Sequence, residues 1–347
     1  MTLLEGAVAT DRDKRPTQAD VARLAAVSQA VVSHVLRGSA GIAIAPETRR
    51  RVLDAIASLG YVPDRAARSL RSGKTLTIAG VIPDITNPFY PAFERGVQDV
   101  AEGHGYDLIV YNTDGDPDKE ARCLGTLLDG RVDGVVAVFF HLGVRHLRPL
   151  LERQVPVVRL EAAPKPTGPL PLDNLYVDNA AAAHAAVAYL LERGHTRIGM
   201  IAGHGGPASA RLAGYRRALA ERNVAVDEDL VRVSRFTADG GHIAMGDLLT
   251  RTPRPTAVFA ANDLMAIGVL VALREAGLRV PDDVAVVGFD DLPIARLFEP
   301  PLTTMAQFPE RLGRRAAELL FERLSTAVPA GGRCEEMPYE LIVRRSA

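Results

Sequence analysis

From Leu76 onward, short apolar runs alternate with longer segments whose apolar residues recur at helical spacing, nearly to the C-terminus. The predicted strands are TIAGVIP, YDLIVYN, GVVAVFF, VPVVRLE, RIGMIAG, LVRVSRF, AVFAAN and VAVVGFD. Most are apolar throughout rather than alternating, as strands covered on both faces of a parallel sheet are. Between them, segments such as PAFERGVQDVAEGHG and AAAHAAVAYLLERGH carry an apolar stripe and close on Gly, which predicts helices. Repeated strand-helix units give right-handed crossovers and doubly wound sheets. Eight or more parallel strands leave a single large sheet, a barrel or two open lobes. Residues 162–174, AAPKPTGPLPLDN, hold four prolines and cannot be a crossover helix, so they read as the end of one lobe and the passage to the next. Ligands in such sheets sit beyond the carboxyl ends of the strands, and two facing lobes would enclose a cleft there.

The first seventy-five residues have another rhythm, with three short helical segments and no strand signal. In TQADVARLAAVSQAVVSHVL (17–36), Thr17 caps a predicted helix with Val21, Ala22, Leu24 and Ala25 inward; Val27 falls in a turn, and Ser28 caps a second helix with Val32, Val35 and Leu36 inward. Two short helices with a tight turn and a shared apolar face form a helix-turn-helix, whose second helix enters the major groove by its N-terminal end. Its solvent side carries Gln29, Ala30, Ser33, His34 and Arg37. Gln pairs bidentately with adenine, Ala meets the thymine methyl, and Ser or His bonds a base edge or a phosphate. An ordinary polar surface helix would look the same. A third helix follows in PETRRRVLDAIASLGY, with Pro46 in its first turn, Val52, Ala55, Ile56 and Leu59 inward and Gly60 at its end. Arg49, Arg50 and Arg51 are open to phosphate contact or to plain solvation.

Composition sharpens this reading. The chain has 347 residues, 47% hydrophobic and 24% charged, the balance of a multidomain globular protein. Its net charge of −1 hides an asymmetry: residues 1–75 hold twelve Lys and Arg against seven Asp and Glu. A basic end on an acidic body suits a polyanion partner. No apolar run reaches the length of a membrane span, and MTLLEGAVATDRDKR lacks the pattern of a secretory signal, so a cytoplasmic location is expected. Cys123 and Cys334 form neither a metal spacing nor a disulfide framework.

Three ordered stretches, DVARLAAVSQAVVSHVL, PETRRRVLDAIASLGYVPDRAARSLRSGKT and IAGVIPDITNPFY, make the chain resemble the lactose and purine repressor (LacI/GalR) family, from Thr17 to about Arg345. The resemblance implies a small all-α helix-turn-helix domain plus an α/β periplasmic-binding-protein-like body of two Rossmann-like lobes with parallel sheets. The lobes would be joined by crossings around Tyr176, Met305 and Gly332, and their hinge closure would be the switch. It also implies that PDRAARSLRSG forms a hinge helix, too poor in apolar residues to be stable alone. Such helices pair across a dimer in the minor groove and wedge a leucine between base steps, here Leu70 with Arg71 beside it; a flexible Arg-rich linker is the alternative. Thr17, Ser28, Gln29, Ala30, Ser33, His34, Arg37, Leu70 and Arg71 are thus the candidate DNA-contacting residues. The sequence departs from the family where Ala26 stands for a common Gly, Ala45 for a common capping Ser and His34 for a frequent Arg.

In the body, Asn87, Pro88, Phe89 and Tyr90 follow the first strand, Arg211 begins RLAGYRRAL and Asp290 ends VAVVGFD. An aromatic ring stacks on a sugar or base, and a guanidinium facing a carboxylate binds several hydroxyls or a polar heterocycle. The resemblance adds Glu161, Phe236, Asn262 and Asp263 as effector-contacting positions. For each residue a helix cap, a surface ion pair or a core position is the competing role.

No catalytic constellation is found. GHGGPAS does not fit G-x-G-x-x-G, no P-loop or G-x-S-x-G occurs, His141 and His146 are five apart, and Asp290 and Asp291 are adjacent. A transport-type binding protein would lack residues 17–73. The expected organisation is an N-terminal extension over 1–15, predicted to be disordered, a DNA-binding domain over 16–62, a hinge over 63–75 and an effector domain over 76–347. Its N-lobe would take about 76–175 and 306–331, its C-lobe about 176–305 and 332–347. The expected molecule is a ligand-responsive repressor, not an enzyme, without cofactor or metal. It would bind a pseudo-palindromic DNA operator as a homodimer, under a sugar-like or nucleoside-like effector. LIVRRSA ends the sequence without leucine heptads, so dimers and not tetramers are expected.

Overall fold

The computed structural model describes residues 16–37, 43–62, 73–325 and 330–347. The chain divides into two compact units between Gly73 and Lys74. Residues 63–72 of the hinge segment, with Leu70 and Arg71, and the extension over 1–15 lie outside the described residues.

The first unit is a three-helix cluster. In α1 (Gln18–Leu24) Thr17 closes a capping box: its Oγ1 accepts the Asp20 N–H at 3.4 Å, and Asp20 Oδ2 accepts the Thr17 N–H at 3.0 Å. Ser28 Oγ accepts the Val31 N–H at 3.4 Å and starts α2 (Gln29–Arg37). Between them Ala26 takes φ 52. Helix α3 (Pro46–Leu59) has Pro at its first position, no side-chain cap from Ala45, and ends at Gly60. Val21, Ala22, Ala25, Val32, Val35, Val52 and Ala55 form the buried core. Leu24 and Leu36, expected inward, are instead 54% and 37% exposed. They sit at the margins of stripes centred on Val21–Ala25 and Val32–Val35, which turn away at about 100° per residue.

The second unit has two lobes, each built on a six-stranded sheet. The N-lobe sheet runs in order β11 (Cys334–Glu336), β5 (Leu172–Tyr176), β4 (Val157–Glu161), β3 (Gly134–Ala137), β1 (Thr77–Ile82), β2 (Asp107–Asn112). The C-lobe sheet runs β12 (Glu340–Ile342), β10 (Thr303–Ala306), β9 (Ala285–Asp290), β8 (Ala257–Ala260), β6 (Ile198–Ala202), β7 (Val231–Val233). All pairs are parallel except β12, which is antiparallel to β10. Each apolar run marked as a strand is one, and β5, β10, β11 and β12 are additional.

Strand β5 corrects the reading of the proline stretch. The chain returns from it into the same lobe, pairing Val157 with Leu172 through Glu161 with Tyr176, so the passage to the C-lobe comes one strand later. Asp173 and Asn174, polar residues inside this strand, are almost wholly buried. Their partners come from afar: Arg323 donates to both Asp173 oxygens at 2.6 and 2.5 Å, the Arg333 backbone and guanidinium donate at 2.8 and 2.7 Å, and Arg159 donates to Asn174 at 2.8 Å. Burial pushes the Asp173 carboxyl up, but the two arginines outweigh it and hold it below the ordinary carboxylate value.

The chain crosses between lobes after Tyr176, after Ala306 and between Glu336 and Glu340. The last crossing is not near Gly332, because Cys334–Glu336 adds to the N-lobe sheet beside β5. Residues 332–336 therefore belong with the N-lobe. Helix α11 (Pro309–Ser325), which follows the second crossing, returns to the N-lobe and packs on α4 (Phe89–Gly103). That contact is close: a Cβ on Gly96 would fall 2.0 Å from Glu310 O, and one on Gly313 1.8 Å from Phe93 O. On the sheet side of α4, Glu94 is buried against Gly80 of β1, and neither carboxylate oxygen has a hydrogen-bond partner.

Candidate functional site

Two surfaces carry the candidate chemistry. On the first unit Thr17, which caps α1, is exposed, and Ser28, Gln29 and Ala30 are exposed where α2 begins, the end that a recognition helix presents to bases. Gln18 Nε2 donates to Gln29 O at 3.0 Å and fixes α1 against that end. Ser33 and His34, read as solvent-facing, are half-buried, and His34 Nδ1 is enclosed without a hydrogen-bond partner. They lie beside the buried Val32 and Val35 rather than opposite them. Arg37 ends α2, and its side chain is outside the described residues.

On the second unit a cleft of about 500 Å³ opens between the carboxyl ends of the two sheets. Its deepest charged pair is Arg211 on α8 (Ala208–Glu221) and Asp290 at the end of β9, each 3 to 4% exposed. Arg211 Nε donates to Asn179 Oδ1 at 2.8 Å, Nη1 donates to Ala261 O, and the guanidinium lies 3.7 Å over the Phe289 ring. Its Nη2 stands 3.7 Å from Asp290 Oδ1, beyond hydrogen-bond length. Gln307 Nε2 donates to the same Asp290 oxygen at 2.6 Å. Burial pushes the Asp290 carboxyl up to about 6, against the pull of Arg211 and Gln307. Asp290 and Asp291 take φ 116 and 53. Two consecutive non-glycine residues there are costly, and such strain gathers at functional sites. Asp291 is secured behind the cleft by Arg344 at 2.5 Å.

Aromatic rings form the walls. Phe89 and Tyr90 meet edge to face at 5.2 Å where α4 starts, and Asn87 Oδ1 accepts the Phe89 N–H at 3.1 Å to set that turn. Phe236, after β7, lies against Gly203 at the end of the neighbouring β6, where a Cβ would fall 2.0 Å from its ring. Glu161 faces the cleft between Arg159 at 3.0 Å and Lys165 at 3.8 Å. A charged pair held just beyond contact, flanked by rings, suits a ligand with several hydroxyls and apolar ring faces. Among the described residues no group of His, Cys, Asp and Glu could hold a metal ion. No described helix is long and apolar enough to cross a membrane.

Residues 17–64 match the family model described as bacterial regulatory proteins, lacI family, and residues 187–347 match the periplasmic binding protein-like domain. The chain is 37% identical over 331 residues to the HTH-type transcriptional repressor PurR of Vibrio campbellii, covering 94% of this chain and 97% of that protein. The chain belongs to the lacI family of bacterial regulatory proteins. Among solved structures, the transcriptional regulator CelR-cellobiose complex is 36% identical, with TM-score 0.69 over 96% of this chain and 100% of that one. The lac repressor dimer bound to operator and the anti-inducer ONPF is 26% identical, with TM-score 0.83 over 96% and 99%. This lacI-family chain is a DNA-binding transcription regulator: a helix-turn-helix unit and a two-lobed periplasmic-binding-protein-like body. Its relatives are transcription regulators, not enzymes.

Of the effector positions read from this lacI-family sequence, Phe89, Tyr90, Glu161, Arg211, Phe236, Asn262 and Asp290 line the cleft. Asp263 does not. It is the first residue of α10 (Asp263–Glu275), wholly buried, where it accepts from the Thr304 hydroxyl at 2.5 Å and the Leu292 N–H at 2.7 Å. Burial and the nearby Asp290 hold its carboxyl well above the ordinary value. Asn262 caps α10 through Met265 N at 2.9 Å while lining the cleft. Sequence reasoning missed Asn179, Gln307 and Phe140, which also line it. Asn179 and Gln307 follow β5 and β10, two strands whose polar residues hid them, so their strand-end positions went unmarked.

Proposed function

We propose that this protein is an effector-controlled, sequence-specific repressor, binding a pseudo-palindromic operator as a homodimer. Each protomer contributes α2 and a hinge helix over residues 63–75, with Leu70 and Arg71 in the minor groove; residues 16–62 are the DNA-binding domain and 76–347 the sensor. The observation that carries the reading is the buried Arg211–Asp290 pair in a cleft between two sheets, on the same chain as a helix-turn-helix whose Gln29 and Ala30 are exposed. A sugar-like effector is favoured over a nucleoside-like one, because the CelR complex is with cellobiose. The 3.7 Å gap between Arg211 and Asp290 has the span for one hydroxyl to donate to the carboxylate and accept from the guanidinium. Lobe closure on the sugar changes the spacing of the paired hinges, and so the grip on DNA.

The test is selection of genomic fragments by the full-length protein, then gel shifts across a panel of mono- and disaccharides. One fragment class should be retained, and one sugar should change its affinity at least tenfold. Failure to retain any fragment, with or without cell extract, overturns the reading. Within that assay Leu70→Ala should weaken operator binding by a few kcal/mol or less while leaving sugar affinity unchanged.

A further inference from the structure

The glycine-rich stretch GHGGPAS, which fits no nucleotide-binding motif, has a partner across the cleft. Phe140 follows β3 in the N-lobe, and its ring lies on the C-lobe turn after β6. A Cβ on Gly206 would fall 2.5 Å from the ring, and one on Gly205 would fall 3.3 Å from it. Both glycines have positive φ, 68 at Gly205 and 47 at Gly206, so the turn offers the ring bare backbone. On its own side the ring also meets Gly115, where a Cβ would be 3.0 Å away. One aromatic side chain thus bridges the two lobes at the cleft.

The backbone behind that ring is fixed unusually firmly. Glu120, on α5 (Pro117–Leu128), is wholly buried. Its carboxylate accepts three successive N–H groups, from Phe140 at 2.7 Å and from His141 and Leu142 at 3.0 Å. His141 Nε2 lies 2.9 Å from Gly115 O and ties the same loop to the turn below. Successive N–H groups converging on one anion form a rigid nest, and charge-assisted bonds are the strong ones. A buried carboxylate spent on a loop of one lobe makes sense when the loop must hold a side chain at a set place against the other.

We infer that Phe140 is a latch that holds the lobes together across the cleft, with Gly205 and Gly206 as its seat and Glu120 as the positioning residue that aims it. This concerns the regulation of the proposed effector cleft and rests on that reading. The latch biases the unliganded sensor toward the closed arrangement, so ligand binding need supply less of the closing free energy. Leu264 and Leu292 of the C-lobe also join the N-lobe core cluster, so loss of the latch widens the distribution of lobe separations rather than freeing the lobes.

The experiment is pulsed electron-electron distance measurement on the full-length chain without ligand. Spin labels are placed at Asp118→Cys on α5 and Ala213→Cys on α8, both exposed, in a background of Cys123→Ala and Cys334→Ser. Wild type at the latch should give one short distance. Phe140→Ala and Gly206→Ala should add a population several ångströms longer, Glu120→Ala should do the same, and Glu120→Gln, which keeps an acceptor oxygen, should lie between. A Phe140→Ala distribution superimposed on wild type overturns the latch. If Phe140→Ala fails to fold, Phe140→Leu and Gly206→Ala decide it, and unchanged distances in both overturn it. Because no ligand is present, failure of every sugar to bind leaves this result standing, and an unchanged distance leaves the sugar screen standing.

Discussion

At Ala26 the backbone is held at φ 52, where a Cβ crowds the following carbonyl and glycine does not. The turn between α1 and α2 tolerates this because Val21, Ala25 and Val32 are packed around it. Ala26→Gly should therefore stabilise the helix-turn-helix by up to about 1 kcal/mol, seen as slower hydrogen exchange of α1 and α2 amides in the full-length protein; equal or faster exchange would count against strain there. Glu94 carries a different tension. Burial without a partner pushes its carboxyl from the ordinary 4.5 up to about 8. The unfolded chain releases this proton near 4.5 while the folded one keeps it to about 8, so folded stability falls as pH rises between those values and levels off above them. Glu94→Gln should remove that slope and gain up to a few kcal/mol at pH 8 but little at pH 4.5. Urea midpoints of both proteins at pH 5, 7 and 9 check it, and parallel curves would exclude the effect. Residues differ in how far sequence discloses them. Asp290 stood out as a charge ending an apolar strand, and Arg211 as a charge opening the helical run RLAGYRRAL. Asp263, one residue past a cleft-lining Asn262, looked equivalent, but the first turn of α10 rotates it toward Thr304 and Leu292.

Strand β5 shows what an element-level reading needs. Its sequence, LDNLY, has no apolar run, since Asp173 and Asn174 occupy positions that a buried strand reserves for Val or Ile. The strand exists because Arg159, Arg323 and Arg333 neutralise and satisfy those groups, and no local window contains all three. Arg323→Ala leaves Asp173, which has no exposure, short of its bidentate partner, and breaking one side of a buried pair costs about 3–5 kcal/mol. The thermal midpoint should drop accordingly, while a loss below about 1 kcal/mol would mean that Arg333 alone suffices. By contrast β1, β3, β6, β8 and β9 were legible because each carries a continuous apolar run that is buried, broken only by Thr77 at the start of β1 and Asp290 at the end of β9. The HTH helices were legible through their caps, Thr17 and Ser28, whose side chains do accept the N–H groups the capping rule requires.

For the whole molecule, the alternation of strand and helix foretold parallel sheets but left their grouping open; the resemblance put joints around Tyr176 and Met305, where the chain does cross, and only the last, expected near Gly332, comes later, between Glu336 and Glu340. The proline stretch looked like a domain boundary because prolines exclude a crossover helix, yet a strand needs no helix to reach its neighbour in the same sheet. Signal and response also separate at this scale. Asp290→Ala removes the carboxylate facing Arg211 and leaves the sequence of residues 16–62 intact, so sugar should no longer change operator affinity, whereas affinity without sugar should stay within about threefold, a difference of about 0.6 kcal/mol. A gel shift with and without sugar checks both, and a retained response would take Asp290 out of the site.

The order in which the sheets are completed has a consequence for biosynthesis. Each lobe receives its outermost strand only from the closing stretch of the chain, β11 and then β12. A ribosome still short of residue 334 has therefore made two jaws that each lack one edge strand, and a stop codon before that point leaves both unfinished together.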